Sequence, residues 1–125
     1  MPIQKILIVD DSPTERYVLT DFLVAHGYTV TTADSGEDAL EKIKIEQPHL
    51  VLMDVVMPGQ NGFQATRAIA RNPLTQHLPV IICTSKSQET DRIWGMRQGA
   101  HDYLIKPIDQ QLLLKKITAL ERSGS

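Results

Sequence analysis

The sequence predicts a single α/β domain in which a doubly wound, five-stranded parallel sheet is covered by helices on both faces. Short apolar runs without polar alternation recur along the chain, which is typical of strands buried on both sides. Each run is followed by a segment with helical periodicity, and the connections between them are short. Because right-handed crossovers join such units, the strands should lie parallel between two layers of helices.

The composition suits this class and limits the possible functions. The chain has 125 residues, of which 42% are hydrophobic and 22% charged, as expected for one globular domain. A net charge of -2 gives no electrostatic case for binding nucleic acid or an anionic membrane. The single cysteine, Cys83, excludes an internal disulfide, and its apolar surroundings predict a small buried side chain. The sequence contains no signal peptide or membrane span, so we expect a cytoplasmic protein.

The first strand is predicted over Lys5–Val9 and is followed by a strongly signalled helix start. Ser12 can cap this helix, Pro13 fits its first turn, and Glu15 can complete a capping box by reaching back to Ser12. The helix should end at His26-Gly27, and its inward residues are predicted to be Val18, Leu19, Phe22 and Leu23.

The second strand is predicted over residues 28–33, where weak alternation and threonine content indicate a position near the sheet edge. Ser35 should cap the second helix, and Pro48 follows its end. The third strand covers residues 50–54 and ends on Asp54. Inward residues of the second helix are predicted to be Ala39, Leu40 and Ile43.

The third helix should begin at Asn61-Gly62 and end at Asn72-Pro73, with Phe63, Thr66, Ile69 and Ala70 on its inward face. The fourth strand, Val80–Thr84, follows Pro79. The fourth helix is predicted over residues 87–98, and Gly99 closes it.

The last strand is predicted over Asp102–Ile105, and Asp109 should cap the last helix. Its inward residues are predicted to be Leu112, Leu113, Ile117 and Leu120. We place one domain at residues 1–121 and a short polar tail at residues 122–125.

Polar side chains follow four of the predicted strands, where a parallel sheet places its binding sites. Such sites form beyond the carboxyl ends of the strands, at the point where the strand order reverses. The order 2-1-3-4-5 is common for five strands, and we adopt it from related sheets rather than derive it. It brings Asp10 and Asp11 beside Asp54, with Thr84 and Lys106 at the same edge.

These groups together fit the chemistry of phosphoryl transfer. Three carboxylates in one cleft repel one another unless a cation lies among them, and an all-oxygen set suits Mg²⁺. Lys106 adds a positive charge and Thr84 a hydroxyl donor. Phosphoryl transfer depends mainly on positioning and charge neutralisation, and a carboxylate can serve as the nucleophile that forms an aspartyl phosphate.

The motifs Asp10-Asp11, residues 53–58 with Gly62, Thr84-Ser85 and Lys106-Pro107 resemble those of two-component response-regulator receiver domains, the chemotaxis Y-protein family. The resemblance covers nearly the whole chain. The motifs stand in the family order, with 30 residues from Asp54 to Thr84 and 22 from Thr84 to Lys106. It implies a flavodoxin-like (βα)5 fold.

The resemblance also implies roles for individual residues. Asp54 would accept a phosphoryl group from a sensor histidine kinase. Mg²⁺ would be bound by Asp11, Asp54 and the backbone carbonyl of Val56, with Asp10 acting through water. Lys106 would pair with the phosphoryl group or with Asp54.

The implied switch involves Thr84, which would move inward on phosphorylation, and Tyr103, which would then become buried. The bond Lys106-Pro107 would be cis. A downstream protein would bind the face formed by the fourth helix, fifth strand and fifth helix. The resemblance also implies that this chain would be a monomer or weak dimer, with no enzymatic activity beyond its own phosphorylation and slow autodephosphorylation.

Segments 61–67 and 87–91, with Trp94-Gly95, further resemble pilus-associated chemotaxis regulators that govern twitching motility. Val56 and Lys86 stand two residues after Asp54 and Thr84, at positions that control the access of water to the acyl phosphate. Val56 offers no group to orient an attacking water, so we expect slow self-hydrolysis. Trp94 could anchor a partner or pack on the sheet, and Tyr103 could be packing rather than a switch. The histidines show no metal-ligand spacing and should lie at the surface: His26, His49, His77 and His101.

Several alternatives remain open on the sequence. The chain could be a phosphate sink, a scaffold, or a receiver fragment of a larger regulator. A haloacid-dehalogenase-like hydrolase requires a second acid two residues after its nucleophile. This chain has Val56 at that position, which argues against such a hydrolase. A nucleotide-binding module requires a glycine-rich loop after the first strand, and none is present. In an interpretation without any chemical role for these residues, Asp54 is a helix cap and Lys106 is a solvated lysine.

Overall fold

Strand and helix alternate five times along the part of the chain that the structure describes. That part, in a computed structural model, comprises residues 2–57 and 61–123. The elements in chain order are β1 (Lys5–Val9), α1 (Pro13–Ala25), β2 (Thr29–Ala33), α2 (Gly36–Glu46), β3 (Leu50–Met53), α3 (Gly62–Arg71), β4 (Val80–Thr84), α4 (Glu89–Arg97), β5 (Asp102–Ile105) and α5 (Gln110–Ser123).

The strands form one parallel sheet in the order β2-β1-β3-β4-β5, so the predicted fold class and strand order are confirmed. β1 and β3 are neighbours near the middle of the sheet, and Val9 at the end of β1 pairs with Met53 at the end of β3. The strand order reverses between these two strands. The residues that follow them therefore lie side by side at the carboxyl edge.

Apolar side chains from both faces of the sheet are buried, which explains why the strand sequences lack alternation. On one face, Ile8 and Leu52 pack with residues of α1 and α5. On the other face, Leu7 and Val51 pack with residues of α2 and α3. Each such side chain contributes roughly 1.5–3 kcal/mol by its removal from water. These two cores hold the strand ends in fixed positions.

The helix starts follow the capping chemistry that the sequence predicts. Ser12, Ser35 and Asp109 each accept the backbone N–H of the third residue beyond, at 3.3, 3.0 and 3.1 Å. At α3, the side chains of Asn61 and Gln64 each accept the other's N–H, at 3.0 and 3.1 Å. These bonds satisfy N–H groups that have no partner within a helix.

Two residues predicted to face inward are exposed instead. Val18 is 46% exposed and Leu112 is 40% exposed. In each case the next residue, Leu19 or Leu113, centres the buried stripe. Because successive helical residues are rotated by about 100°, the residue just before the centre of the stripe turns toward solvent.

The bounds of four elements also differ from the prediction. β2 begins at Thr29 rather than at residue 28, β3 ends at Met53 rather than at Asp54, and α4 ends at Arg97 rather than at residue 98. Helix α4 begins at Glu89 rather than at residue 87, because Gln88 is the capping residue and its N–H bonds the carboxylate of Asp91 at 3.3 Å. Helix α5 continues to Ser123, so it includes two residues of the segment predicted as a polar tail. The domain boundary at residue 121 stays a prediction.

The amino ends of the strands lie opposite the edge that carries the acidic residues. There the N–H of Ile3 donates to the Glu121 carboxylate at 3.1 Å, which joins α5 to the segment before β1. Nδ1 of His49 accepts the N–H groups of Gln4 and Lys5, both at 3.1 Å. None of the described helices has the length and apolar character needed to cross a membrane.

Candidate functional site

Three carboxylates meet at the carboxyl edge of the sheet. Asp10 and Asp11 follow β1 and Asp54 follows β3, and one ligand oxygen from each lies within 4.8 Å of the others. Asp10 and Asp54 are only 2% and 6% exposed, whereas Asp11 is exposed. The sequence prediction that these acids share one cleft is therefore correct in geometry.

Lys106, which follows β5, reaches into this acidic group. Its Nζ lies 2.7 Å from Oδ2 of Asp10 and 3.2 Å from Oδ2 of Asp54. Burial lowers the pKa of Lys106, but its hydrogen bonds to Asp10 and Asp54 and their negative charges outweigh that effect and raise the pKa overall. Lys106 therefore stays an ammonium ion. The resemblance implied contact with Asp54, but it did not indicate the shorter contact with Asp10.

The loop between β1 and α1 is held by Asp10. Oδ1 of Asp10 accepts the N–H of Ser12 at 2.9 Å, and Arg16 donates to the backbone carbonyl of Asp10 at 2.7 Å. The predicted capping box between Glu15 and Ser12 is therefore wrong in one half. Ser12 does accept the N–H of Glu15, but the N–H that Glu15 was to bind is taken by Asp10.

The backbone around Asp54 is equally constrained. The N–H of Asp54 donates to the carbonyl of Val9 at 2.9 Å, and Oδ1 of Asp54 accepts the N–H of Val56 at 3.1 Å. The first residue of α3, Gly62, lies directly against the carbonyl of Asp54, and a Cβ there would overlap that oxygen. Only glycine allows this approach. Pro58 of the recognised motif lies outside the described residues.

Thr84 and Tyr103 lie behind the cleft rather than on its wall. Thr84 is fully buried at the end of β4, and its Oγ1 accepts the N–H of Lys86 at 3.4 Å. The next residue, Ser85, lines the cleft. Tyr103 is only 4% exposed, so the burial that was expected to follow phosphorylation is already present in this structure, and its hydroxyl donates to the carbonyl of Lys86 at 2.8 Å.

Burial, followed by the charges of Asp91 and Asp54, raises the pKa of Tyr103 to about 12. The phenol is therefore neutral at physiological pH and remains a hydrogen-bond donor to Lys86. The contact links β5 to the segment between β4 and α4. Its distance along the chain, 17 residues, explains why no local sequence signal reveals it.

An open cleft joins these groups, and half-exposed Val56 lies at its rim. The peptide bond Lys106-Pro107, whose two residues also line the cleft, is cis, as the resemblance implied. The residues that line the cleft are Asp10, Asp11, Ser12, Glu15, Asp54, Val56, Ser85, Lys106 and Pro107. Glu15 was predicted only as a capping residue, so the sequence reasoning missed its place in the lining of the cleft.

The donor set fits a magnesium ion. Carboxylate oxygens are the ligands that Mg²⁺ prefers, and one or two carboxylates with waters and phosphate oxygens complete its shell. Two of the three acids are buried, so a cation would relieve a costly concentration of negative charge. Among the described residues, the histidines join no such group of three ligating side chains.

Other singled-out side chains lie outside the cleft. Cys83 is buried, and burial raises its thiol pKa to about 12, so it behaves as a small apolar side chain. Trp94 on α4 is 49% exposed, so it is not packed under the sheet. Of the histidines, only His49 is half-buried, and the other three are exposed: His26, His77 and His101.

The fold and the cleft define the class of protein, and comparison with known proteins agrees. The response regulator receiver domain family matches residues 6–118. The chain therefore belongs to this family of signalling switches, and the resemblance drawn from its motifs is confirmed. A particular relative is Protein PilH of Pseudomonas aeruginosa, which is 56% identical over 116 residues, covering 93% of this chain and 96% of that protein.

Two solved structures agree with the fold. Chemotaxis protein CheY4 of Vibrio cholerae superposes with a TM-score of 0.87 at 30% sequence identity, covering 94% of this chain and 98% of that one. The BeF3-activated receiver domain of Klebsiella pneumoniae RstA gives a TM-score of 0.85 at 28% identity, covering 93% and 97%. Both likenesses extend over more than nine-tenths of this chain and support the same fold.

Proposed function

We propose that this receiver domain is switched by phosphorylation of Asp54, with a sensor histidine kinase as the phosphodonor. The observation that carries the proposal is the buried Asp54 carboxylate, which lies 3.2 Å from the Lys106 ammonium and within 4.8 Å of two further acids. A carboxylate placed in this way is a nucleophile whose surroundings can neutralise an incoming phosphoryl group. Membership of the receiver family supports the same role.

The reaction follows from the positions of these groups. A carboxylate oxygen of Asp54 forms a bond to phosphorus, and the bond from phosphorus to the donor's histidine nitrogen breaks. That nitrogen keeps the electron pair and takes up a proton. Lys106 is placed to move from the carboxylates to the phosphoryl oxygens, whose charge spreads in the transition state.

Magnesium would be held by Asp11, Asp54 and the carbonyl of Val56, with Asp10 acting through water. When bound, it supplies positive charge to the phosphoryl oxygens and to the crowded carboxylates. Asp10 also fixes the β1–α1 loop through Ser12, so the loop that carries Asp11 is already ordered by the chain itself.

The proposed output is a change in the face formed by α4, β5 and α5. Thr84 would hydrogen-bond a phosphoryl oxygen. The hydrogen bond between Tyr103 and Lys86 would then change, because the N–H of Lys86 donates to Thr84 and its carbonyl accepts from Tyr103. Phosphorylation would bias a two-state equilibrium rather than create a new fold. This face carries exposed apolar side chains suited to a downstream protein: Ile93, Trp94, Met96, Ile105 and Leu112.

A titration with Mg²⁺ and beryllofluoride, which imitates an acyl phosphate, tests this proposal. Amide chemical shifts of α4 and β5 should change only when both are present. The change should disappear in Asp54→Ala and persist in Asp21→Asn, which removes an exposed acid of α1. A full response in Asp54→Ala would contradict the assignment of Asp54 as the acceptor.

The absence of an orienting group on Val56 should make the acyl phosphate long-lived. Val56 is 48% exposed at the rim and offers no hydrogen bond to an attacking water. Phosphorylated protein should therefore decay over minutes or longer. Decay within seconds would contradict this expectation, and Val56→Asn should shorten the lifetime.

The similarity to PilH supports a place in a chemotaxis-like pathway that controls pili and twitching motility, acting in the cytoplasm as a monomer or weak dimer. Beyond self-phosphorylation and slow autodephosphorylation, we propose no enzymatic activity. An output regulator and a phosphate sink differ in one measurement. A sink should drain phosphoryl groups from the shared kinase without binding a downstream protein, whereas an output regulator should gain affinity for one on phosphorylation.

A further inference from the structure

Glu15 lies at the mouth of the cleft, and its side chain does not cap the helix on which it lies. The capping box that its sequence position predicts does not form, because Asp10 accepts the N–H of Ser12 at 2.9 Å. Within residues 2–57 and 61–123, the Glu15 carboxylate forms no hydrogen bond or ion pair. The residue is half-buried and lines the cleft with Asp11 and Asp54.

The charge at this mouth is unbalanced. Lys106 is shared by Asp10 and Asp54, at 2.7 and 3.2 Å, so its positive charge is matched inside the cleft. Asp11 and Glu15 add two negative charges nearer to solvent. The four remaining residues of the lining are uncharged: Ser12, Val56, Ser85 and Pro107. Two cations lie near this mouth without lining the cleft: Arg16 donates to the backbone carbonyl of Asp10 at 2.7 Å, and Lys86 pairs with Asp91 at 3.8 Å.

We propose that Glu15 is a specificity-determining residue that selects the phosphodonor by its charge. Its carboxylate repels small dianionic acyl phosphates more than donors of lower net negative charge. The inference rests on the proposed phosphorylation of Asp54 and adds a determinant outside the residues that contact the phosphoryl group. Its physical basis is that clefts lined by one sign of charge focus the field on an approaching ion.

The magnitude follows from Coulomb's law. One unit charge at roughly 7 Å in a water-filled cleft changes the encounter of a second unit charge by about threefold at low ionic strength. Acetyl phosphate is a dianion at neutral pH and phosphoramidate a monoanion, so the two donors differ by one unit. Both place a phosphoryl group on the same oxygen of Asp54, which isolates the effect of donor charge.

The test compares the phosphorylation rates of Asp54 with these two donors at saturating Mg²⁺. In Glu15→Gln, the ratio of the acetyl phosphate rate to the phosphoramidate rate should rise about threefold, and in Glu15→Lys about tenfold. The gain should shrink as salt is raised toward 1 M, where the screening length falls to about 3 Å. Gln has nearly the same size as Glu, so a steric effect would leave the donor ratio of Glu15→Gln unchanged. Only an effect of charge would make the ratio rise in order from the wild type to Glu15→Gln to Glu15→Lys.

Asp21→Asn is the matched control, because it removes one negative charge from the same helix at an exposed position outside the cleft. Its donor ratio should equal that of the wild type. An unchanged ratio in Glu15→Gln, an equal rise in Asp21→Asn, or a gain that persists at high salt would overturn the inference. Phosphorylation of the wild type by neither donor would overturn the proposed function, and the inference with it.

Discussion

At the scale of single residues, Lys106 makes two charge contacts that no other residue of the cleft could replace. It is the cation that lies between Asp10 and Asp54, both nearly inaccessible to water. Removing one partner from a buried charged group leaves the remaining charges uncompensated, which costs more than losing a surface ion pair.

We therefore expect Lys106→Met to lower the free energy of unfolding by roughly 2–4 kcal/mol without metal, and Mg²⁺ to restore much of that loss. Chemical denaturation with and without Mg²⁺ measures both quantities. Lys116→Met is the control, because Lys116 pairs with Asp102 at 2.9 Å on a partly exposed face and should cost less than about 1 kcal/mol. Equal losses of unfolding free energy in the two variants would contradict a larger contribution from the buried contacts of Lys106.

Tyr103 should make stability depend on pH in the alkaline range. Burial, and then the charges of Asp91 and Asp54, raises its pKa from 10.0 to about 12 in the folded chain. Because the pKa is higher in the folded chain than in the unfolded one, folding favours the neutral phenol. The contribution of Tyr103 to the free energy of unfolding is therefore complete below pH 10 and is lost as pH rises toward 12.

Tyr103→Phe should be less stable than the wild type by about 1 kcal/mol at pH 7, because the bond to Lys86 is lost. The difference should close, and then reverse, as the pH passes about 11. Denaturant titrations of both proteins between pH 7 and pH 11.5 measure it. A difference that stays constant over this range would contradict the assignment of the effect to the phenol.

Residue-level prediction succeeded where a role depends on strand ends and failed where it depends on loop conformation. Asp10, Asp11 and Asp54 could be placed together because parallel strands align their carboxyl ends. The hydrogen bond from the Ser12 N–H to Asp10 depends on the conformation of three loop residues, which the sequence does not reveal. The sequence therefore predicted Glu15 as the acceptor of that N–H. The contact between Tyr103 and Lys86 likewise depends on tertiary packing.

At the scale of elements, the start of α3 is fixed by its close approach to the end of β3. A Cβ on Gly62 would overlap the carbonyl oxygen of Asp54 and would lie 2.7 Å from Cα of Val55. Both are backbone atoms, so the overlap can be relieved only by moving α3 or the segment that carries Asp54.

Gly62→Ala should lower the free energy of unfolding by about 2–4 kcal/mol and weaken the beryllofluoride response at equal folded concentration. Gly27→Ala provides the control, since Gly27 has φ +93° with nothing within 4 Å of a Cβ. That variant should cost only about 1–2 kcal/mol of backbone strain and leave the response unchanged. Comparable effects on the beryllofluoride response would contradict the role of Gly62 in placing Asp54.

Element boundaries were predictable wherever a capping side chain marks them. Ser35 and Asn61 mark helix starts because their side chains accept N–H groups that the helix leaves free. The start of α4 was placed two residues too early, because glutamine is not among the usual capping residues and Gln88 therefore gave no signal of the boundary. Val18 and Leu112 were assigned inward because apolar character alone does not fix the centre of a helical stripe.

At the scale of the whole molecule, the cleft exists only when the sheet is assembled. Its acids come from the segments after β1 and β3, and its lysine from the segment after β5. The unfolded chain does not hold these groups together. Binding of a cation to the cleft must therefore stabilise the complete fold.

The free energy of unfolding should rise with Mg²⁺ concentration by about 1.4 kcal/mol for each tenfold increase above the dissociation constant. Chelation should remove this gain. Asp11→Asn should bind Mg²⁺ more weakly and shift the dependence to higher concentration, whereas Asp21→Asn should follow the wild type. A stability that does not respond to Mg²⁺ in the wild type would contradict the magnesium site.

The architecture of the whole molecule was the most predictable level. Apolar runs such as Val80–Thr84 identify buried strands, and the short connections restrict them to a parallel arrangement. The order of the strands was adopted from related sheets, because connection lengths alone allow more than one arrangement. The contact that joins Ile3 to Glu121 bridges 118 residues and has no local signature.

That contact between Ile3 and Glu121 has a practical consequence for following the protein in a cell. It brings the amino-terminal segment and the end of α5 together beneath the sheet, across from the acidic edge. A fluorescent tag fused before Ile3 or after α5 would thus sit away from the cleft that contains Asp54. A short peptide joining the two ends would likewise give a circularly permuted chain whose cleft is unaltered.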